Sequence, residues 1–105
     1  MRTQPVVCSL DSSPKSPRVL IEYCTGCRWG LRAAWMAQEL LVTFEKELGE
    51  VALRPGSESG VFNVWVDSQQ VWNRKESHRF PELKEIKRAV RDIVEPEKSL
   101  GHSDK

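Results

Sequence analysis

The chain has 105 residues, one domain's worth, and a core of that size buries roughly two thirds of the unfolded surface, so disulfide or metal staples are not needed for folding. A hydrophobic content of 39%, a charged content of 30% and a formal net charge of +1 describe an ordinary soluble domain and exclude a global field that would steer nucleic acid. Three cysteines are an odd and sparse set, which excludes the dense frameworks of small secreted domains and favours a reducing, cytoplasmic setting; no apolar run is long enough for a signal peptide or a membrane span.

Residues 1–17 hold three prolines and four serines with little apolar content after Val7, a composition that does not repay the entropy of ordering and reads as a flexible tail. From Arg18 the run "RVLIEYC" is β-branched and aromatic, which predicts a buried strand ending at Cys24 in a Thr-Gly turn. In "LRAAWMAQELLVTFEKELGE", residues Ala33, Ala37, Leu40, Leu41, Phe44 and Leu48 recur at helical spacing. The pattern predicts a helix over 30–48, with Gly49 as its C-cap. A brief strand at Val51 to Leu53 follows, broken by Pro55-Gly56.

"VFNVWVDSQQVWNRK" reads as a hairpin: Phe62, Val64 and Val66 alternate with Val61, Asn63 and Trp65. The turn falls at Asp67 to Gln69, and Val71 and Trp72 begin the return strand. Pro81 stands at the first position of a last helix, 81–95, whose Leu83, Ile86, Val90 and Ile93 form one stripe opposite Lys84, Lys87, Arg88 and Arg91 before Pro96 stops it. The expected order is β-α-β-β-β-α around a four-stranded mixed sheet, a domain spanning 18–96, with 97–105 as a polar tail.

Cys24-Thr25-Gly26-Cys27 lies between the first strand and the first helix, the placement expected of a thioredoxin-like redox site. Such a turn brings two sulfurs to bonding distance, and the amides and dipole of a helix N-terminus stabilise the reactive thiolate. Arg28 adds positive charge beside the pair, and Trp29 either lines a substrate groove or shields the helix start. Two bland readings stand beside this one. Structural zinc needs four ligands, and Cys24, Cys27, Cys8, His78 and His102 offer no second C-x-x-C and no H-x-x-x-H, so no metal or other cofactor is expected. The two cysteines are otherwise simply buried thiols. Cys8 sits on the tail with nothing to fix it near the pair.

Taken together, "VLIEYCTGCRWGLRAAWMAQELL", "GVFNVWVDSQQVWNRK" and "RFPELKEIKRAVRD" with the terminal "SLGHS" resemble the selenoprotein W-like group of the SelT/SelW/SelH, or Rdx, family in a bacterial form with cysteine at both motif positions. The resemblance covers about three quarters of the chain, from Arg18 to Pro96. It implies a thioredoxin-like α/β fold, thiol-based activity in cell redox homeostasis, and glutathione or a thioredoxin-system protein as electron partner. Selenoprotein members carry selenocysteine at the second motif position, so the resemblance implies that Cys27 attacks and Cys24 resolves. Two departures from thioredoxin itself stand out: "SESG" precedes Val61 where a cis-proline would stand, and Tyr23 replaces the tryptophan before the motif. Both favour a narrower redox protein over a general disulfide reductase, with a non-catalytic, redox-gated adaptor as the alternative.

Three further features carry expectations. Leu31, Trp35 and Val42 form a second stripe on the first helix, either a partner or homodimer surface, or a stripe covered by the tails or a long loop, or scattered exposed apolar residues. "NRKESHRF" gathers Arg74, Lys75, His78 and Arg79, either a site for glutathione carboxylates or an acidic partner, or a solvated face balanced by Glu76, Glu82 and Glu85. Glu22, two residues before Cys24, shares that residue's strand face.

Overall fold

The computed structural model describes residues 12–101. The elements run β1 (Arg18–Cys24), α1 (Gly30–Thr43), β2 (Glu50–Gly56), β3 (Phe62–Val66), β4 (Gln69–Asn73), α2 (Arg74–Ser77) and α3 (Leu83–Val94). The sheet order is β2-β1-β3-β4. β1 pairs in parallel with β2, Val19 opposite Val51 and Cys24 opposite Gly56. It pairs antiparallel with β3, Ile21 opposite Val64, and β3 pairs antiparallel with β4 across a bulge at Val64/Trp65. The expected β-α-β-β-β-α order and mixed sheet are observed, with the short α2 as an addition.

Strand parity decides which face is buried. Val19 and Ile21 on β1 and Phe62, Val64 and Val66 on β3 are almost wholly enclosed and meet Ala33, Met36, Ala37 and Leu40 of α1, Phe44 just beyond it, and Ile86 and Val90 of α3. Both long helices therefore cover one face. Each buried aromatic or aliphatic side chain here contributes about 1.5 to 3 kcal/mol of transfer free energy. On the opposite face Leu20 lies opposite Trp65 and Glu22 opposite Asn63.

Four boundaries differ from the sequence reading. α1 stops at Thr43, not at residue 48: the chain turns at Phe44 (φ −117°, ψ 35°), and the amides of Glu47 and Leu48 both fold back onto the Phe44 carbonyl at 3.0 and 2.9 Å. Within the helix Met36, not Leu41, completes the buried stripe, and Leu41 is exposed, because its 100° offset from Leu40 turns it away from the sheet. Gly49 is not a cap. Its amide donates to the Pro17 carbonyl at 2.8 Å, and a Cβ there would lie 2.5 Å from the Lys15 carbonyl oxygen, so glycine is required by close backbone approach. β2 continues through Pro55-Gly56, which an edge strand permits because proline's missing donor needs no ladder partner there.

The hairpin turn is shorter than expected. Gln69 already belongs to β4 and pairs with Val66, while Asp67 takes a positive φ of 52°. The Asp67 carboxylate accepts from the Arg18 amide and the Ser16 hydroxyl at 2.9 and 3.0 Å, so residues assigned by sequence to the N-terminal tail are tied to the hairpin, and the Lys15 amide likewise donates to Glu50 at 2.9 Å. α3 starts at Leu83, two residues past Pro81, behind a capping box in which Glu82 and Glu85 each accept from the other's backbone amide.

Candidate functional site

Cys24 is the last residue of β1, and three backbone contacts hold it and the turn that follows. Its amide donates to the Val61 carbonyl at 2.9 Å, its carbonyl accepts from the Trp29 amide at 3.3 Å, and one residue on the Thr25 carbonyl accepts from the Arg28 amide at 3.0 Å. The motif is thus a closed loop between strand and helix, not the first turn of the helix. α1 begins three positions after Cys27 because Arg28 adopts a left-handed φ of 61°, which a helix does not accommodate. The amide donors at the sulfurs accordingly come from the loop and from the segment before β3.

The Cys27 amide donates to the Cys24 sulfur at 3.2 Å, and both thiols are free. Cys24 is 3% exposed and Cys27 is half-buried. Hydrogen bonding from the Cys27 thiol, then from the backbone of Gly60, Cys27 and Gly26, lowers the Cys24 pKa against the opposing effect of burial. The same thiol contact, with Cys27 as donor, raises the Cys27 pKa, and desolvation adds to it. The contact therefore favours the charged form of Cys24 and the neutral form of Cys27. Acidity and exposure fall on different members of the pair.

The segment facing the sulfurs was not singled out from sequence. Gly60, with φ of +79°, stands immediately before Val61, and its backbone acts to lower the pKa of both cysteines; the Ser59 side chain acts the same way on Cys27. Gly56 lets β2 close against the motif, since a Cβ there would meet Val61 Cγ1 at 2.9 Å. The available signal is the pair of glycines four residues apart that bracket the polar Ser57-Glu58-Ser59 turn before an apolar strand.

Trp29 closes the loop by its backbone and packs by its ring. It meets Phe80 edge-on at 4.7 Å, and Phe80 meets the buried Phe62 at 5.2 Å. Two guanidinium groups lie over this aromatic cluster: Arg32 is 4.1 Å from the Phe80 centroid, and Arg74 is 4.7 Å from Trp29 and 4.9 Å from Phe80. Arg28 is exposed and shapes the loop through its backbone.

The remaining candidates fall apart in space. Of the "NRKESHRF" cations, Lys75 pairs with Glu58, Arg79 pairs bidentately with Glu85 at 2.8 and 2.7 Å, and His78 is the exposed left-handed residue ending α2. Glu22 accepts from the Asn63 side chain at 3.2 Å. Leu31, Trp35 and Val42 are exposed. Cys8 and His102 lie outside the described residues, among which no group of three or more His, Cys, Asp or Glu side chains is placed to hold a metal ion. Among the same residues no helix is long and apolar enough to cross a membrane.

Comparison with known proteins supplies the wider setting. The model of the Rdx family matches residues 18–92. A selenoprotein W-related protein from Vibrio cholerae has a crystal structure that is 44% identical with a TM-score of 0.71, over 74% of this chain and 96% of that one. A protein from Bordetella parapertussis is 55% identical with a TM-score of 0.69, over 71% of this chain and 94% of its own. No curated protein matches.

Proposed function

This chain belongs to the Rdx family, with a thioredoxin-like α/β fold and a redox-related function, and from that premise we propose that it is a thiol-disulfide redox protein in which Cys24 and Cys27 cycle between dithiol and disulfide with glutathione as the electron partner. The observation that carries this reading is the Cys27 amide on the Cys24 sulfur at 3.2 Å, in a loop whose donors favour a thiolate. A thiolate of the pair attacks one sulfur of glutathione disulfide, expelling one glutathione thiolate and leaving a mixed disulfide. The second cysteine attacks the protein sulfur of that bond and expels the second glutathione. Two electrons pass from the pair to glutathione disulfide, and the two thiol protons are released or taken up by the departing thiolates. The reverse sequence reduces the pair. A reducing cytoplasm suits a site that must return to its dithiol form.

The test is a titration of the whole chain against defined ratios of glutathione to glutathione disulfide, followed by mass and peptide mapping. The expected outcome is one two-electron transition confined to Cys24 and Cys27, abolished in Cys27→Ser and in Cys24→Ser. No transition across the glutathione range, or one that involves Cys8, overturns the proposal. If Cys27→Ser alters only the affinity for a protein partner while no thiol turnover is measurable in the wild type, the pair is a redox-gated adaptor switch.

A further inference from the structure

Seven cations among the described residues are matched by carboxylates. Arg18 is paired with Glu50, Lys75 with Glu58, Arg79 with Glu85, Lys84 with Glu82, Lys87 with Glu39, Arg91 with Asp92 and Lys98 with Glu47. Arg32 and Arg74 have no carboxylate partner among the described residues, and what sets them apart is that both stack on the same ring, Phe80. Their separations of 4.1 and 4.9 Å from one ring centre hold the two guanidinium groups within about 9 Å of each other. The Phe80 ring carries no formal charge to neutralise either cation, and the Arg74 Nε is buried with no hydrogen-bond partner, an arrangement that costs free energy until an acceptor is supplied.

Arg74 links this pair to the motif loop. Arg74 lies over Trp29, which is two residues beyond Cys27 and closes the motif loop by its amide. The next residue, Lys75, brings its Cε to 3.9 Å from where a Cβ of Gly60 would stand, one residue before Val61, whose carbonyl accepts from the Cys24 amide at 2.9 Å. Planar guanidinium groups fixed on aromatic faces are suited to receive carboxylates through paired N–H groups.

We propose that Arg32 and Arg74, held on Phe80 and Trp29, form the docking site for the carboxylates of a small thiol of the glutathione type, presenting its sulfur to the Cys24–Cys27 loop. The inference rests on the redox reading for its purpose and on the unmatched arginine pair for its chemistry. The two-carboxylate span of a tripeptide fits two cations within about 9 Å of each other. An acidic protein segment would be met by a broader basic face, and here the neighbouring Lys75 and Arg79 are already neutralised.

S-methylglutathione, which carries both carboxylates and no free thiol, tests docking apart from redox chemistry. In nuclear magnetic resonance titrations of the full chain, its addition is expected to shift the Trp29 indole and the Arg32 and Arg74 Nε resonances saturably. Arg32→Gln and Arg74→Gln should each weaken binding about tenfold, the loss expected for one charged hydrogen-bonding partner, and the dimethyl ester of the same probe should bind at least tenfold more weakly to the wild type. Absence of saturable shifts, equal affinity for the ester, or unchanged affinity in both folded variants overturns the assignment. So does tighter binding of a glutamate-rich peptide, which would make the site a protein-docking surface. Exchange of the wild type with hydroxyethyl disulfide, which has no carboxylate, is read separately: its failure sinks the redox reading, whereas failure of the titration sinks only the docking site.

Discussion

At the scale of single residues the central relation is the contact between the two motif thiols, with Cys27 as donor and Cys24 as acceptor. Because the first cause of the lowered Cys24 pKa is the Cys27 thiol, and the first cause of the raised Cys27 pKa is Cys24, deleting either thiol moves the survivor in a known direction. In Cys27→Ala, Cys24 loses its principal donor and keeps its burial, so its pKa rises. In Cys24→Ala, Cys27 no longer donates to a neighbour and loses the adjacent negative charge, so its pKa falls. Thiolate absorbance in the ultraviolet, followed across pH in both variants, checks the two opposite shifts; movement of both in the same direction would show that helix or loop fields, not the pair contact, govern the acidity. Accessible Cys27 is expected to react first with a bulky alkylating reagent even though Cys24 is the more acidic, because 3% exposure blocks approach to the thiolate.

At the scale of elements, legibility followed the strength of the local signal. The stripe Leu83, Ile86, Val90 and Ile93 is readable because every member packs on the core and most other positions of the helix are charged. The end of α1 was not, because helical spacing in the sequence persists through Leu48 while the chain has already turned at Phe44; the decisive contact is the distant Pro17 carbonyl on the Gly49 amide. The motif was found from its spacing, yet its local geometry was misjudged, since the left-handed conformation of Arg28 follows from loop closure and leaves no mark in residue type. Gly60 escaped notice for the related reason that its role is played by a backbone amide. α2, a single turn capped by Asn73 on the Lys75 amide at 3.0 Å, is too short for periodicity to reveal.

The same scale holds the clearest pH dependence. The Arg79 guanidinium and the Glu82 amide hold the Glu85 carboxyl at about 2, below its ordinary value of 4.5. A carboxyl whose folded pKa is depressed contributes stability that is fully present above its unfolded pKa and is lost as pH falls toward the folded one. Glu85→Gln retains an acceptor for the capping box and loses the ion pair, so after allowance for solvent screening the cost is on the order of 1 kcal/mol at neutral pH. Urea unfolding of wild type and variant should show that difference at pH values above the ordinary carboxylate range and a gap that closes on acidification toward about 2; a gap that stays constant would assign the effect to packing.

At the scale of the whole molecule, a sheet covered on one face must link its core to its reactive loop along that same layer. The link is aromatic: Phe62, wholly buried on β3, meets Phe80 at 5.2 Å, and Phe80 meets Trp29 at 4.7 Å. Loosening the core at Phe62 should therefore reach the motif loop without any change to a cysteine. Phe62→Leu removes ring volume from the centre of the fold and is expected to cost about 1 to 3 kcal/mol, with Phe80→Leu costing less because it is only partly buried. Edge-on ring pairs contribute about 0.5 to 1.5 kcal/mol beyond area burial, so the double variant should be less destabilised than the sum of the singles by that amount. Hydrogen exchange at the Trp29 amide, which closes the motif onto the Cys24 carbonyl, supplies the second readout: it should accelerate in Phe80→Leu by more than in a control of equal global stability cut elsewhere in the core, such as Ile86→Val, whose side chain lies on α3. Strict additivity in the cycle, together with equal exchange in the two cores, would show that the loop is held by its own backbone contacts and that the aromatic chain transmits nothing to it.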